Sequence, residues 1–184
     1  MQEKIVLRKK ALLQRRKKYF EISSGFFNPI LSMLKKIKKN NYLRVSLFYP
    51  SNFEVNTLKF FDFNKNKKIK IFLPVIKSNN QMKFVEWNYL DPLKANQFGL
   101  LEPALIKKPL IPNVILVPLL AFDKKKNRLG YGKGFYDRFL NKFLKKKKIL
   151  TIGVAFSFQK YNKVPALNSD MKLNYILTEK GLVK

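Results

Sequence analysis

The chain has 184 residues, with 39 Lys and Arg against 11 Asp and Glu, a formal net charge of +28 and 46% hydrophobic residues. This length fits one domain or at most two small ones, and the apolar fraction suffices for a buried core, which excludes a disordered basic tail. The absence of Cys and His excludes disulfides, thiolate or imidazole metal sites, and catalysis by either side chain. An enzyme of this composition must use carboxylates, Lys, Arg, Tyr, hydroxyls, backbone amides or a bound metal.

The excess of positive charge has three interpretations. Basic proteins gain affinity for nucleic acids because their cations release counterions from phosphates, so an RNA- or ribosome-associated protein is one candidate. However, the cations are 33 Lys and only 6 Arg, beside 17 Asn, and Arg is the residue that reads phosphate and guanine in a bidentate way. We favour a second interpretation, compositional drift toward Lys and Asn, under which no nucleic-acid partner is expected. A third interpretation is that the positive electrostatic field of the protein helps to capture small polyanionic ligands.

The sequence shows no segment that would enter a membrane. Residues 1–4 include the charged pair Glu3 and Lys4, and no apolar stretch of the signal-peptide kind follows them. The longest apolar run, residues 114–122, contains Pro118 and is far shorter than a membrane span. We therefore expect a cytoplasmic protein.

Helices and strands alternate in the first half of the chain. A helix is predicted at 3–20, where apolar residues recur every seven positions: Ile5, Val6, Leu12, Leu13, Tyr19 and Phe20. A second helix begins at Asn28, an N-cap residue that is followed by Pro29. The next predicted elements are a strand at 43–49, a short helix at 56–63, a strand at 68–73 ended by Pro74, and a strand at 82–87.

The second half contains the clearest strands. Residues 88–112 are punctuated by Pro and are expected to be irregular. Residues 114–117 are a continuous apolar run, typical of a strand buried on both faces, and 149–156 are predicted as the second buried strand, with a helix between the two. The last predicted strand is 173–178. This alternation predicts an α/β fold with a mainly parallel sheet in a single domain over residues 1–184.

Three of the seven glycines, Gly130, Gly132 and Gly134, lie within five residues, directly before that helix. Glycine permits positive φ and lets backbone N–H groups approach a ligand, and the start of a helix attracts anions through its dipole. The stretch is not a P-loop, because no Gly-Lys-Ser/Thr closes it. The dinucleotide-binding fingerprint also has a different glycine spacing.

Charged residues accompany these glycines. Lys133 inside the loop and Arg128 before it can neutralise phosphate, and Asp137 in the first helical turn can hold a magnesium ion. A glycine turn whose Asp favours the start of the helix explains the same residues without a ligand. The glycine pattern alone does not decide between these two hypotheses.

The longer string does carry a resemblance. Arg-Leu-Gly-Tyr-Gly-Lys-Gly-Phe-Tyr-Asp-Arg at 128–138, preceded by Pro-Leu-Leu-Ala-Phe-Asp at 118–123, resembles the signature of the 5-formyltetrahydrofolate cyclo-ligase (methenyltetrahydrofolate synthetase) family. Further matches follow in the family's order: Lys4 with Arg8, Glu-Val-x-Thr at 54–57, Gly-x-x-Glu-Pro at 99–103, Ile-Gly-Val-Ala-Phe at 152–156, Gln159, Val164-Pro165, Asp170 and Thr178-Glu179. Ordered matches around one long motif are specific, so the chain is identified as a member of this family.

The resemblance implies a three-layer α/β sandwich and an ATP- and magnesium-dependent ligase, expected to be a monomer. It implies conversion of 5-formyltetrahydrofolate, with or without a polyglutamate tail, to 5,10-methenyltetrahydrofolate, with release of ADP and phosphate through an N5-iminium phosphate. Phosphoryl transfer mainly needs positioning and charge neutralisation, so the absence of His and Cys is no obstacle.

The resemblance also implies roles for residues that bind the nucleotide. Lys4 and Arg8 match the pair that contacts ATP phosphates. Arg128 and Lys133 match the catalytic cations, with Lys133 as the main charge. The rest of the nucleotide loop is Leu129, Gly130, Tyr131, Gly132, Gly134, Phe135 and Tyr136. Helical geometry adds that Lys4, Arg8 and Arg15 share one helix face, although such a face is usually only solvated.

The remaining implied roles concern the metal and the folate. Asp137 and Asp170 match the magnesium carboxylates, while Asp at a helix start is otherwise a dipole partner. Glu54 matches a carboxylate that hydrogen-bonds the pterin or orients the formyl group. Tyr131 and Phe135 lie where the family contacts its substrate.

Four positions depart from the family pattern. Phe135 replaces a usual Tyr, which removes a hydroxyl and keeps a ring, and Leu119, Ser169 and Asn174 also differ from the common residues. These changes put substrate affinity and rate in question more than the fold. They leave open an alternative, a relict that binds folate or nucleotide without turnover.

Overall fold

The computed structural model describes residues 2–37, 43–63, 69–79, 81–105, 107–144, 147–167 and 169–184. The α-helices found there are α1 (Gln2–Lys18), α2 (Asn28–Ile37) and α3 (Phe135–Phe143). Short 3-10 helices cover Ser24–Phe27, Thr57–Phe63 and Ser157–Gln159. All four predicted helices are confirmed, the one at 56–63 as a 3-10 helix. Among the described residues, no helix has the length and apolarity needed to cross a bilayer.

Eleven strands are described. They are β1 (Leu43–Ser46), β2 (Ile69–Ile76), β3 (Met82–Glu86), β4 (Leu93–Ala95), β5 (Leu101–Pro103), β6 (Val114–Pro118), β7 (Ala121–Phe122), β8 (Arg128–Leu129), β9 (Leu150–Val154), β10 (Tyr175–Thr178) and β11 (Gly181–Val183). Seven form one sheet in the order β11-β10-β9-β6-β1-β2-β3, and β4-β5 and β7-β8 are small hairpins. The five inner strands are parallel, and β3 and β11 pair antiparallel at the edges. The predicted mainly parallel sheet is confirmed.

The sheet lies between two apolar layers. Leu116 of β6 shares one cluster with Ile30 and Leu34 of α2. Its neighbour Ile115 shares the opposite cluster with Leu140 of α3. Because successive strand residues point to opposite faces, the continuous apolar run of β6 fills both layers. Helix, sheet and helix make the predicted three-layer sandwich.

Strand β2 continues through Pro74, where the sequence predicted its end. β1 ends at Ser46, which pairs with Phe72, so one side of β2 has no neighbouring strand beyond that point. Pro74 turns its nitrogen to this open side, and its missing N–H interrupts no ladder. Ile76, which faces the same way, donates its amide to the Glu102 carboxylate at 3.0 Å.

The structure also corrects the limits of several other predicted elements. Residues 88–112 are not wholly irregular, because they contain the β4-β5 hairpin. The first predicted strand stops at Ser46, the last begins at Tyr175, and β11 was missed. Lys68, the first residue of another predicted strand, lies outside the described residues.

Helix α1 turns much of its apolar stripe outward, which is opposite to what a core-facing stripe predicts. Ile5, Val6 and Leu13 are 46%, 61% and 60% exposed, whereas the buried residues of the helix are Ala11 and Arg15. The seven-residue recurrence therefore located the helix but not its buried face. The inward face is largely polar and cationic.

The strand order creates a crevice at one edge of the sheet. From β1 the chain moves to β2 on one side, and it later enters β6 on the other side of β1. In open α/β sheets, ligands bind at the carboxyl ends of strands where the order reverses in this way. The segments at 47–56 and 119–134, which follow β1 and β6, border this crevice.

Replacing Gly153 of β9 with Ala should destabilise the protein. A Cβ there would lie 2.7 Å from Ile176 Cδ1 and from Leu119 Cδ2, and 2.8 Å from Leu173 Cδ1, all in buried side chains. Such overpacking costs about 1–3 kcal/mol, measurable as a lower free energy of unfolding in urea. Gly25→Ala is the control, since its Cβ would meet nothing closer than 3.5 Å. Equal stability of the two variants would contradict the packing argument.

Candidate functional site

Three cations of α1 point into the crevice region. Lys4 Nζ pairs with Asp170 Oδ2 at 2.5 Å. Arg8 Nε donates to the carbonyl of Gly130 at 3.0 Å. Arg15 is only 1% exposed and contacts the segments that follow β1 and β6. The predicted common face of Lys4, Arg8 and Arg15 is confirmed, and it is buried against the domain rather than solvated.

Glu54 is the centre of a buried polar cluster. Its Oε2 accepts from the Ser51 amide at 2.9 Å, and its Oε1 accepts from the Tyr131 hydroxyl at 2.7 Å. Tyr131 in turn accepts from Arg15 Nη2, and Arg15 Nη1 lies 4.0 Å from Glu54 Oε1. The structure thus joins Glu54 and Tyr131, two residues predicted for the folate site, by a direct hydrogen bond, and Arg15 of α1 contacts both.

Burial dominates the acid–base chemistry of this cluster. It raises the pKa of Glu54, although the charge of Arg15 and hydrogen bonds from Tyr131 and Ser51 act against the rise. The pKa of Tyr131 is also raised, by burial and by the negative charge of Glu54. The same two causes raise the pKa of Tyr136. Both phenols therefore remain protonated at neutral pH.

The glycine loop needs glycine at two positions. Gly132 has φ of +97° and Gly134 has φ of +68°, the left-handed region that other residues avoid. A Cβ on Gly132 would lie 3.1 Å from Arg8 Cζ, so the absent side chain lets Arg8 cross the loop closely. Gly134 is the N-cap of α3, which begins at Phe135. The loop therefore combines two cations, Arg8 and Lys133, with the start of a helix.

Two members of the predicted nucleotide loop point inward. Leu129 is 1% exposed and packs with Ala121 and Val164, so its side chain supports the loop and only its backbone is available to a ligand. The Tyr136 hydroxyl is buried and has no hydrogen-bond partner among the described residues. A buried polar atom without a partner is costly, which makes this hydroxyl a candidate donor to a bound ligand.

Lys133 lies on a cleft of about 320 Å³ that is lined by Phe98, Lys133, Phe135 and Arg138. The rings of Phe98 and Phe135 have centroids 5.4 Å apart, and Lys133 Nζ lies 5.0 Å from the centre of the Phe98 ring. Within the described part of the chain, Lys133 pairs with no carboxylate. Two aromatic rings beside two cations suit a ligand that is both aromatic and negatively charged.

The two predicted metal carboxylates lie close together and beside cations. Asp137 Oδ1 accepts from Arg128 Nη2 at 2.7 Å and from the Met171 amide at 3.0 Å. Met171 directly follows Asp170, whose Oδ2 is held by Lys4. Arg128 is only 7% exposed and its Nε has no described partner, so the structure places it under Asp137 rather than at the surface.

These residues fit a magnesium ion that arrives with a phosphate ligand. The described residues contain no cluster of three or more possible metal ligands. Magnesium, however, commonly binds one or two carboxylates and completes its shell with water and phosphate oxygens. The contacts above use Asp137 Oδ1 and Asp170 Oδ2, which leaves the second oxygen of each carboxylate for a cation.

Sequence reasoning missed two residues of the cleft and the full role of a third. Phe98 precedes the Gly-x-x-Glu-Pro motif, and its position beside a recognised motif was the only signal available. Arg138 ends the 128–138 string, and its Cζ lies 5.3 Å from the centre of the Phe135 ring. Helical spacing indicated the direction of Arg15 but could not show its partners, which are far apart in sequence.

Fold and site together define an α/β protein whose loops, at the carboxyl edge of a parallel sheet, present cations, glycine backbone and carboxylates. The chain belongs to the 5-formyltetrahydrofolate cyclo-ligase family, a family of enzymes, and residues 1–179 match the family model. The family predicted from the motifs is thereby confirmed.

Individual relatives agree with this assignment. The 5-formyltetrahydrofolate cyclo-ligase of Haemophilus influenzae is 31% identical over 150 residues, which are 78% of this chain and 80% of that one. The NMR structure of Aquifex aeolicus 5,10-methenyltetrahydrofolate synthetase matches with a TM-score of 0.73 and 30% identity, over 98% of this chain and 92% of the other. The Mycoplasma pneumoniae synthetase matches with a TM-score of 0.69 and 26% identity, over 96% and 98%.

Lys4→Met should raise the pKa of Asp170. Burial raises this pKa, but the hydrogen bonds from Lys4 and the Leu167 amide and the charges of Lys4 and Arg128 outweigh it and hold it below 3.8. A folded-state pKa below the unfolded one stabilises the protein above the unfolded pKa, and this stabilisation is lost as the pH falls through the folded pKa. The variant should lose part of that stabilisation.

The measurement is a carboxyl-carbon NMR titration of Asp170. Lys9→Met, a change at an exposed position of the same helix, should leave the titration as in the native chain. An unchanged Asp170 titration in Lys4→Met would show that the ion pair does not form.

Proposed function

We propose that the chain catalyses the ATP- and magnesium-dependent cyclisation of 5-formyltetrahydrofolate to 5,10-methenyltetrahydrofolate, with release of ADP and phosphate. The main support is the convergence of Lys4, Arg8, Lys133 and two carboxylates on one glycine loop, in a chain of this family. The proposal treats residues 1–184 as one catalytic domain, acting as a cytoplasmic monomer.

The reaction needs activation of a formamide oxygen, which is a poor nucleophile and a worse leaving group. In the proposed sequence that oxygen attacks the γ-phosphorus of ATP, and ADP leaves. The product is an N5-iminium phosphate, whose carbon is then attacked by N10. N10 loses its proton, and the former formyl oxygen departs with phosphate. The methenyl bridge between N5 and N10 results.

Charge neutralisation is the main task of the loop residues. Arg8 and Lys133 are proposed to contact phosphate oxygens, together with backbone amides at the start of α3. Arg128 carries its charge at the buried side of Asp137, where it stabilises the carboxylate and adds to the positive potential. Preorganised cations of this kind need no reorganisation during phosphoryl transfer.

Asp137 and Asp170 are the proposed magnesium ligands. The metal would neutralise phosphate charge at the loop. Lys4 pairs with one oxygen of Asp170. In this proposal, Lys4 would fix the orientation of the Asp170 carboxylate, so that its other oxygen can bind the metal.

Folate is proposed to lie between the Glu54 cluster and the cleft at Phe98. Glu54 would accept a hydrogen bond from the pterin or orient the formyl group, and Tyr131 lies beside it. Phe135 supplies a ring but no hydroxyl, so it is proposed to contact the ligand by packing alone. The cations of the cleft, Lys133 and Arg138, suit the carboxylates of the folate tail as well as phosphate.

Turnover is tested by mixing the purified protein with ATP, magnesium chloride and 5-formyltetrahydrofolate and following methenyl product by absorbance. We expect product that depends on both ATP and magnesium. Nucleotide or folate binding without product would identify a relict. Tight, salt-sensitive RNA binding without product would favour the RNA-associated alternative.

Lys133→Ala and Asp137→Asn should each lower kcat by at least about 100-fold, because each removes charge that the transferring phosphoryl group requires. Circular dichroism should show that both variants fold. Lys124→Ala is the matched control, since Lys124 is an exposed lysine on the turn between β7 and β8. Native turnover in either site variant would remove that residue from its proposed role.

A further inference from the structure

Arg15 connects three segments that follow different strands. Its Nε donates to the Asn52 carbonyl at 2.9 Å and its Nη1 to the Leu119 carbonyl at 3.3 Å. Its Nη2 donates to the Tyr131 hydroxyl at 2.5 Å. The guanidinium is planar and permanently charged, so all three contacts are set by one rigid group that α1 delivers.

The contact to Tyr131 fixes the direction of a proton. Arg15 has donors only, so the Tyr131 oxygen must accept from it and the phenolic proton must point elsewhere. The Glu54 Oε1 atom, 2.7 Å away, receives that proton. Glu54 Oε2 is occupied by the amide and hydroxyl of Ser51. A carboxylate has about four acceptor positions, so one position on Oε1 is left for a ligand.

The segment that carries Glu54 is conformationally strained. Asn52 and Phe53 have φ of +47° and +61°, two consecutive non-glycine residues in the left-handed region. The Glu54 amide closes this turn by donating to the Ser51 carbonyl at 2.9 Å. Such residues cost of order 1–3 kcal/mol each and persist where the surroundings over-determine them. The hydrogen bond from Arg15 to Asn52 is one of those determinants.

We propose that Arg15 is a positioning residue of this site, which keeps Glu54 ionised at its buried position and aims the Tyr131 hydroxyl at it. The inference rests on the proposed function, in which Glu54 contacts the substrate. Arg15 itself is almost completely buried and acts through Glu54, Tyr131 and the strained turn. Its contribution is therefore to the charge and direction of groups that meet the ligand.

Among the described residues, the charged and titratable groups that face Glu54 are Arg15 from α1, Tyr131 from the glycine loop and Tyr136 from α3. Both phenols are neutral, so Arg15 is the cation that offsets burial. Without it the pKa of Glu54 should rise by roughly one to three units. Activity that needs the carboxylate appears as the pH rises through this pKa, so its acidic limb should move to higher pH.

The test uses Arg15→Met, which removes the charge and keeps a long side chain, with Arg16→Met at the exposed neighbouring position as control. The first readout is a carboxyl-carbon NMR titration of Glu54 in the protein without ligands. The second is the pH profile of kcat/KM for 5-formyltetrahydrofolate. We expect both to shift upward in Arg15→Met, with at least about a tenfold loss of kcat/KM near the native acidic limb, and neither to shift in Arg16→Met.

Two further variants separate positioning from general destabilisation. Arg15→Lys keeps a charge, so its acidic limb should stay close to the native one while kcat/KM falls through loss of the planar fork. In a Glu54→Gln background, Arg15→Met should cost little more activity, since both changes act on one group. If Arg15→Met does not fold, Arg15→Lys is used in its place. Its kcat/KM is then measured alone and in the Glu54→Gln background, and non-additive losses support the proposal.

An unshifted Glu54 titration in Arg15→Met, or full additivity with Glu54→Gln, would overturn the proposal. The NMR arm needs no catalysis, so it tests Arg15 even if the native protein makes no methenyl product. Absence of product from the native chain would instead overturn the proposed function. The two failures are thus distinguishable.

Discussion

The candidate site depends on one buried guanidinium. Helix α1 buries few of its apolar residues, since its buried positions are Ala11 and Arg15, so hydrophobic packing alone does not fix its place on the sheet edge. Burying a cation is costly unless it is hydrogen-bonded and paired. Arg15 meets that condition with two carbonyls, a phenol and the nearby Glu54 carboxylate. The hydrogen bonds of the Arg15 guanidinium thus hold α1 in its position on the domain, and with it the positions of Lys4 and Arg8.

One partner of Arg15, the Leu119 carbonyl, is also held by Gln159. Gln159 donates to the carbonyls of Leu119 and Leu120 at 2.9 and 3.0 Å, and its side-chain oxygen accepts from the Phe156 amide at 2.8 Å. The Leu119 carbonyl is thus shared by Arg15 and Gln159. Because every member has a partner, the network is rigid. The segments after β6 and β9 therefore form one support for the glycine loop.

Sequence patterns located most strands of the main sheet, because short segments rich in apolar and β-branched residues between turn residues are typical of buried strands. They failed where partners are distant. The sequence predicted that a strand ends at Pro74, because proline has no N–H to donate to a neighbouring strand. In the structure β1 ends at Ser46, so no described strand lies beside Pro74 on that side and β2 continues through it. Apolar residues at a spacing of seven located α1, but its buried face was decided by carbonyls and carboxylates more than 30 residues away, such as Asn52 and Asp170.

The candidate site shows the same division. Motif order predicted Glu54, the glycine loop and the two aspartates, which the structure brings to one edge of the sheet. It did not predict that Phe98 lines the cleft. The contact between Phe98, at the tip of the β4-β5 hairpin, and Phe135, at the start of α3, produces no periodic pattern in the sequence. Arg128 was expected to face phosphate, but the structure buries it against the Asp137 carboxylate, a partner that the motif did not indicate.

The acids say more about the site than the cations do. Only 11 of the 184 residues are acidic, and Glu54, Asp137 and Asp170 lie in the site. Glu102 and Asp123 are buried and accept hydrogen bonds from backbone amides, Glu102 from Ile76 and Asp123 from Lys125 and Val164. Five of the 11 acidic residues therefore have a specific partner in the core or the candidate site. In a chain with so many cations, these few carboxylates are the more specific markers of the candidate site.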